Sequence, residues 1–249
     1  MAAILIILNI LFFNSCSTSR PKGKTEAEIL YHEAKVLVED GRYILATEKL
    51  NRIRSKYPYS YYATFAELLS ADVLFKQENF VESAAAYIVF KDFHPKHKKS
   101  DYVIWRIGES FFNQLPSTFD RDLSPGYEAI KYFNELKRYH PQSEFTKKSD
   151  ERINKIKGMF RNKEKYIADF YFKTEVYDAA RFRYENILHE FEDPDLRAYA
   201  AIRTLESSKY LNEPNYCKKN KLVYLGILKD KFKEGLLKAV EDCLKEIKS

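Results

Sequence analysis

The sequence predicts an all-α protein, a right-handed α-solenoid of about five repeated helix pairs. Glycine and proline are scarce, with 7 and 8 residues among 249, so the chain offers few of the tight turns that join β-strands. Ala, Leu, Glu, Lys and Arg are abundant, and these residues have the highest helix propensities. A set of small, aromatic and proline positions also recurs along the chain, which is typical of stacked helical repeats.

The first repeat contains two helices joined by a tight turn. Leu30 and Ala34 fall on one face of the first helix, and the small side chain of Ala34 lets the second helix approach closely. The turn lies at residues 41–43, and Ala46 packs the second helix back onto the first. Pro58 ends the pair because proline cannot donate the backbone hydrogen bond that a continuing helix needs. This pattern is typical of tetratricopeptide repeats.

Two further copies keep this register. The spacing from Ala34 to Ala71 equals that from Pro58 to Pro95 and is three residues longer than the usual 34. In the third copy the first helix is predicted at Asp101–Asn113 with Gly108 at the small position, followed by an insertion at residues 115–124 and a second helix at Pro125–Tyr139.

The fourth copy has a longer first helix. Ala168 and Tyr184 occupy the repeat positions, the copy closes near Pro194, and its first helix extends backwards to about Glu144. A fifth copy begins with a helix near Asp195.

The N-terminus carries an apolar run that ends at Cys16. Residues 1–13 hold no charge, Ser15 is small, and a polar stretch follows the cysteine. The run is too short to span a bilayer and fits a signal-peptide core. The arrangement resembles the lipobox of bacterial lipoproteins, so we predict a signal peptide at 1–15, lipidation of Cys16 and a linker at 16–26. The alternative is a buried N-terminal helix or a short anchor with an incidental cysteine.

The C-terminal segment departs from the repeat pattern. Beyond Pro214 the pattern is lost, and we predict a capping segment over 212–249 with one amphipathic helix at Lys229–Ile247. Cys217 and Cys243 lie in this segment. The oxidising periplasm permits a disulfide between them, and the sequence leaves a bridge and two separate thiols as alternatives.

The charge balance points to few partner classes. The formal net charge of +6 is modest for 249 residues, and a solvated surface is its simplest explanation. An anionic membrane or an acidic partner is the alternative. We expect no nucleic-acid partner, because a lipid anchor would keep the chain away from nucleic acid.

Several strings resemble one known family. They are Tyr57-Pro58-Tyr59-Ser60, His94-Pro95-Lys96-His97, Asp120-Arg121-Asp122, Tyr139-His140-Pro141-Gln142-Ser143 and Ala168-Asp169-Phe170-Tyr171. Over residues 25–211 the chain resembles the BamD family, the lipoproteins of the outer-membrane β-barrel assembly machinery. A generic tetratricopeptide protein lacks the Asp-Arg-Asp insertion. The resemblance implies five repeats, no enzymatic activity, no cofactor, and anchorage at the inner leaflet of the outer membrane.

The resemblance also implies two kinds of partner. Family members bind the POTRA domains of the barrel-forming subunit and receive unfolded outer-membrane proteins. By this resemblance, the N-terminal repeats at 27–113 handle clients and the C-terminal repeats at 114–211 dock on the partner.

Helix periodicity indicates which side chains line a concave client groove. The predicted groove residues are Tyr31, Lys35, Phe65, Asp72, Phe75, Tyr102, Trp105, Glu109 and Phe112, together with Val38 and Leu68. Apolar pockets suit an extended peptide that ends in an aromatic residue, and Lys35 suits its carboxylate. The alternative is that some of these aromatic side chains pack between helices.

Partner docking is predicted at Arg181, Arg183, Arg197 and Arg203, because an arginine fork meets a carboxylate with two donors. Arg197 is the foremost candidate, since it stands at a helix start where its charge opposes the helix dipole.

Two other function classes stay open. One is a different periplasmic tetratricopeptide adaptor that serves the cell wall. The other is a lytic transglycosylase, because Glu109 lies in a Glu-Ser-Phe setting, although the glycine-rich substrate motif of those enzymes is missing.

His94 and His97 have metal-ligand spacing, but no Cys, Asp or Glu stands beside them. We therefore predict no catalytic residue, metal or cofactor.

Overall fold

A computed structural model describes residues 22–245, which form α-helices and no strand. The first six helices are α1 (Glu26–Glu39), α2 (Tyr43–Lys56), α3 (Tyr61–Lys76), α4 (Phe80–Phe93), α5 (Ser100–Phe112) and α6 (Ser124–Tyr139). The others are α7 (Phe145–Lys173), α8 (Tyr177–Glu190), α9 (Pro194–Tyr210), α10 (Pro214–Ile227) and α11 (Lys233–Leu244), with a 3₁₀ turn at Asp230–Phe232. The all-α prediction is confirmed. The predicted signal peptide and Cys16 lie outside the described residues.

The described chain forms two compact units, the first ending at Ser110 and the second beginning at Phe111. In the first unit, α1 packs on α2 and α3, and α3 packs on α4. Leu30, Ala34 and Leu50 are fully buried between these helices. In the second unit, α7, α8 and α9 pack in succession, and α10 and α11 close on α9. Each unit therefore buries its own apolar core.

Four helix pairs share one turn geometry. Gly41, Glu78, Glu175 and Asn212 have φ values of 73°, 61°, 63° and 54°, in the left-handed region. At each turn the following residue donates its N–H to the carbonyl five positions earlier, over 2.8 to 3.0 Å. This is the Schellman arrangement that satisfies the last carbonyls of a helix. The pairs α1–α2, α3–α4, α7–α8 and α9–α10 are thus joined in the same way.

The fifth repeat is complete, which corrects the prediction that the pattern is lost beyond Pro214. Pro214 lies in the first turn of α10, where a missing N–H costs nothing. Pro194 likewise begins α9 rather than closing α8, and the Asp193 side chain caps α9 by accepting from the Leu196 N–H over 2.8 Å. The capping helix α11 is shorter than predicted, at Lys233–Leu244.

A disulfide joins the last two helices. Cys217 on α10 and Cys243 on α11 are bonded, with their Cα atoms 6.4 Å apart and both side chains buried. The bridge resolves the alternative that the sequence left open, and it fixes α11 on the second unit.

We predict that removing this bridge destabilises the second unit. The bond closes a segment of 26 residues, for which chain entropy gives about 3.5 kcal/mol of stabilisation. Urea denaturation of the Cys217→Ala, Cys243→Ala variant should show a lower midpoint than the wild type. Wild-type protein in reductant is the matched control and should behave like the variant. An unchanged midpoint in both samples would contradict the prediction.

Candidate functional site

One carboxylate in the first unit ties three helices together. Asp72 on α3 accepts hydrogen bonds from the Tyr87 hydroxyl on α4, at 2.5 Å, and the Tyr102 hydroxyl on α5, at 2.7 Å. Tyr87 is fully buried, and burial together with the Asp72 charge raises its pKa. Both tyrosines therefore stay neutral and donate, and the ionised acceptor makes the bonds stronger than neutral ones.

An arginine lies against the same network. The Arg106 guanidinium stacks on the Phe75 ring at 3.6 Å and donates from Nε to the Tyr87 hydroxyl over 3.3 Å. It also lies 5.6 Å from the Trp105 ring. Aromatic faces attract the guanidinium and hold its plane in place. The result is a fixed cation set among aromatic rings on α3 and α5.

The second unit repeats this network. Asp169 on α7 accepts from the Tyr184 hydroxyl on α8 and the Tyr199 hydroxyl on α9, each at 2.7 Å. Arg203 stacks on Phe172 at 4.4 Å and donates from Nε to Tyr199 over 3.2 Å. Every member stands 97 positions after its counterpart in the first unit.

The repetition extends beyond the network. The left-handed turn residues Glu78 and Glu175 obey the same 97-residue offset. So do Ser110 and Ser207, which are buried and donate to the carbonyl four residues earlier over 2.8 Å. Each unit therefore contains one copy of the same arrangement of side chains. The helix-pair pattern in the sequence did not predict this repetition.

The two copies differ in charge. Lys165 occupies the position of Leu68 and donates to the second oxygen of Asp169 over 2.6 Å. Its ammonium lies 4.1 Å from the Tyr199 ring. A cleft of about 460 Å³ opens beside this copy and is also lined by Lys173 and Tyr177. The second copy thus holds a cation where the first holds a leucine.

Most predicted groove residues lie together in the first unit. Half-buried members are Tyr31, Phe65, Asp72, Phe75, Tyr102 and Trp105, while Lys35 is exposed on α1. The Tyr31 ring is 5.9 Å from that of Phe65, and the Tyr102 ring is 6.4 Å from that of Trp105. These contacts bring together aromatic rings from α1, α3 and α5, the helices that carry Asp72 and Arg106.

Several predicted groove residues are placed differently. Glu109 is only 6% exposed, and Val38 and Leu68 are buried as well. Phe112 belongs to the second unit, where Arg152 lies 4.6 Å from its ring. Glu109, Val38 and Leu68 therefore do not line a groove, while the role of Phe112 stays a prediction.

Three of the predicted docking arginines have partners within the second unit. Arg181 pairs with Glu213, and an Arg183 nitrogen lies 3.7 Å from a Glu164 oxygen. Arg203 belongs to the network around Asp169. Arg197 differs, because its Nε is buried and has no hydrogen-bond partner within residues 22–245.

A large cleft in the second unit lies beside the insertion. It measures about 970 Å³, and its wall includes Asp122 and Asp193. Tyr127 stacks on Phe160 at 4.4 Å along this wall, and the Lys163 ammonium donates to the Arg121 carbonyl over 2.6 Å. The Asp-Arg-Asp insertion is therefore held against α7.

Two features are absent from the described part of the chain. No group of three or more His, Cys, Asp or Glu side chains in it is arranged to hold a metal ion. None of its helices combines the length and the apolarity that crossing a membrane requires.

Comparison with known proteins identifies relatives over most of the chain. The family model YfiO, described as an outer membrane lipoprotein, matches residues 23–222. The outer membrane protein assembly factor BamD of Neisseria gonorrhoeae is 27% identical over 210 residues, 78% of this chain and 79% of that protein. Its namesake in Vibrio cholerae is 26% identical over 211 residues, 81% of this chain and 86% of that protein. Among solved structures, the TPR2AB domain of yeast Sti1 in a complex with pHSP90 has a TM-score of 0.46 and 12% identity, covering 90% and 100% of the two chains.

The network around Asp169 predicts a specific pH dependence. Burial alone would raise the pKa of the Asp169 carboxyl, but hydrogen bonds from Lys165, Tyr184 and Tyr199 outweigh it, so the pKa lies below its usual value. The stabilisation is present above the pKa of the unfolded chain, about 3.9, and is lost as pH falls through the folded value.

We therefore expect Asp169→Asn to lower the free energy of unfolding at neutral pH by about 1–3 kcal/mol, because charged hydrogen bonds become neutral ones. The difference from wild type should shrink as the pH falls below about 4. Asp178→Asn, at an exposed position on α8, is the matched control. Urea titrations at several pH values measure both, and a constant difference across pH would refute the assignment.

Proposed function

Because the chain belongs to the YfiO family of outer membrane lipoproteins, whose model matches residues 23–222, we propose that it is an outer-membrane protein assembly factor. In this proposal it is a periplasmic scaffold held at the outer membrane by acylated Cys16. The family match carries the proposal, and the groove in the first unit supports it. The scaffold receives unfolded outer-membrane proteins and binds the POTRA domains of the barrel-forming subunit.

The first unit supplies the client groove in this proposal. Tyr31, Phe65 and Trp105 offer apolar faces to the side chains of an extended peptide. Arg106, set on Phe75, and the exposed Lys35 supply positive charge for a terminal carboxylate. A peptide with an aromatic residue and a free carboxylate at its end matches both features.

We predict that the double variant Phe75→Ala, Trp105→Ala weakens binding of such a peptide by about 10- to 100-fold, because buried aromatic contacts dominate interface energies. Fluorescence anisotropy with a labelled C-terminal client peptide measures the affinity, and circular dichroism checks the fold. Tyr139→Ala, an exposed aromatic position on α6, is the control. Wild-type affinity in a folded double variant would exclude this groove.

The second unit supplies the docking surface in this proposal. Arg197 lies in the first turn of α9, four residues after Asp193 in the wall of the large cleft. The Arg197 side chain is half-buried, and a guanidinium suits a carboxylate from another protein, because its planar fork of donors can meet two oxygens. The other three predicted arginines already serve contacts within the unit.

We predict that Arg197→Glu reduces co-purification of the barrel-forming subunit from detergent-solubilised outer membrane by about tenfold or more, because it places like charges together. An acidic-to-basic change on that subunit should restore the complex. Arg138→Glu, an exposed position on α6, carries the same charge change and should leave the complex intact. Equal recovery with Arg197→Glu in low and high salt would place the docking surface elsewhere.

A further inference from the structure

Antiparallel packing gathers three chain segments at one edge of the first unit. Helices α1, α3 and α5 begin there, while α2 and α4 end there. We name residues 22–25, 57–60 and 94–99 the anchor edge. Contacts beside it join its segments, because the Tyr62 hydroxyl donates to Glu28 over 2.8 Å and the Phe65 ring lies 6.1 Å from that of His97. The turns at 40–42 and 77–79 lie at the opposite edge.

The anchor edge is positively charged. Its segments contain no Asp or Glu and each of its lysines is exposed, while Glu28 of α1 lies beside them and accepts from the Lys24 N–H over 2.7 Å. These lysines are Lys22, Lys24, Lys96, Lys98 and Lys99. The opposite edge holds Asp40, Arg42 and Glu78. Charge is thus distributed unequally between the two ends of the same helices.

Aromatic side chains project at the same edge. Tyr59 is fully exposed and Tyr61 is 71% exposed. The Tyr61 ring packs on Phe65 at 4.7 Å, and the Phe65 ring lies 6.1 Å from that of His97. Tyrosine suits a membrane–water interface, because its ring is apolar and its hydroxyl stays hydrated. Lysines beside exposed tyrosines therefore match the headgroup layer of a bilayer.

Chain length keeps this edge close to the proposed anchor. Lys22 stands six positions after Cys16, and an extended chain covers at most about 3.5 Å per residue, or roughly 20 Å. Basic side chains within a Debye length of an anionic bilayer surface, about 8–10 Å, contribute about 1 kcal/mol each, and a tether of this length lets the lysines come that close. The tether thus presents the lysines to the bilayer that holds the acyl chains.

We propose that the anchor edge binds the anionic phospholipid surface of the bilayer in which Cys16 is anchored. The lysines meet lipid phosphates, and Tyr59 and Tyr61 lie at headgroup level. This contact rests on the proposed lipid anchorage. It gives the first unit a defined orientation on the membrane, which a tether alone does not.

Vesicle binding tests the proposal without the acyl chain. A mature full-length chain with Cys16→Ser is sedimented with phosphatidylcholine vesicles that contain or lack phosphatidylglycerol. We expect binding only to the anionic vesicles, with affinity falling as salt rises. Replacing Lys96, Lys98 and Lys99 by Gln should weaken binding about 100-fold, at about 1 kcal/mol for each lysine.

The matched control removes the same number of positive charges from the second unit. Lys218, Lys219 and Lys221 on α10 are replaced by Gln together, and binding should stay close to that of the parent chain. Equal losses in the two triple variants would mean that only total charge matters and would overturn the proposal. Absence of binding to anionic vesicles by the parent chain would also overturn it.

Palmitate labelling of the wild type separates the two proposals. If Cys16 is labelled and the vesicles do not bind, the anchor is supported and the anchor edge is refuted. If Cys16 is not labelled, the proposed lipid anchorage is wrong. The proposed contact between the anchor edge and that bilayer is then also wrong, even if the protein binds anionic vesicles.

Discussion

The fold of each unit depends on a single carboxylate that accepts two tyrosine hydroxyls from two other helices. Tyr87 and Tyr184 are fully buried, and a buried hydroxyl without an acceptor costs about 1–3 kcal/mol. Asp72 and Asp169 satisfy this need and at the same time set the position of the following repeat. Helix pairs packed only by small apolar residues would lack this directional constraint.

Local signals in the sequence predict the helix pairs well. Ala34, Ala71 and Pro58 mark close approaches and helix ends within a few residues of where they occur, so periodicity recovers them. The repeat pattern was not followed past Pro214, because proline occurs both after the end of one helix and in the first turn of the next. The turn at Asn212 shows that α9 and α10 form a helix pair, since its left-handed backbone matches the turns of the other three pairs.

The candidate site is predicted only in part, because its constraints come from several helices. Counting along α3 and α5 finds Asp72, Trp105 and their neighbours, yet it says nothing of Tyr87, which approaches from α4. The signal that would have revealed the network is a spacing of Asp, Tyr, Tyr and Arg that recurs 97 residues later. The prediction that Glu109 lines the groove is wrong for a related reason, since its burial depends on the packing of neighbouring helices.

The groove and the anchor edge share helices, and this links the two proposed roles of the first unit. Helix α3 begins with Tyr61 at the anchor edge and carries Asp72 and Phe75 toward its other end. The network around Asp72 fixes α3 relative to α4 and α5. An anchor edge held flat on lipid would therefore set the direction of the groove relative to the bilayer. A client peptide bound there would be presented at a defined distance and angle to the membrane it enters.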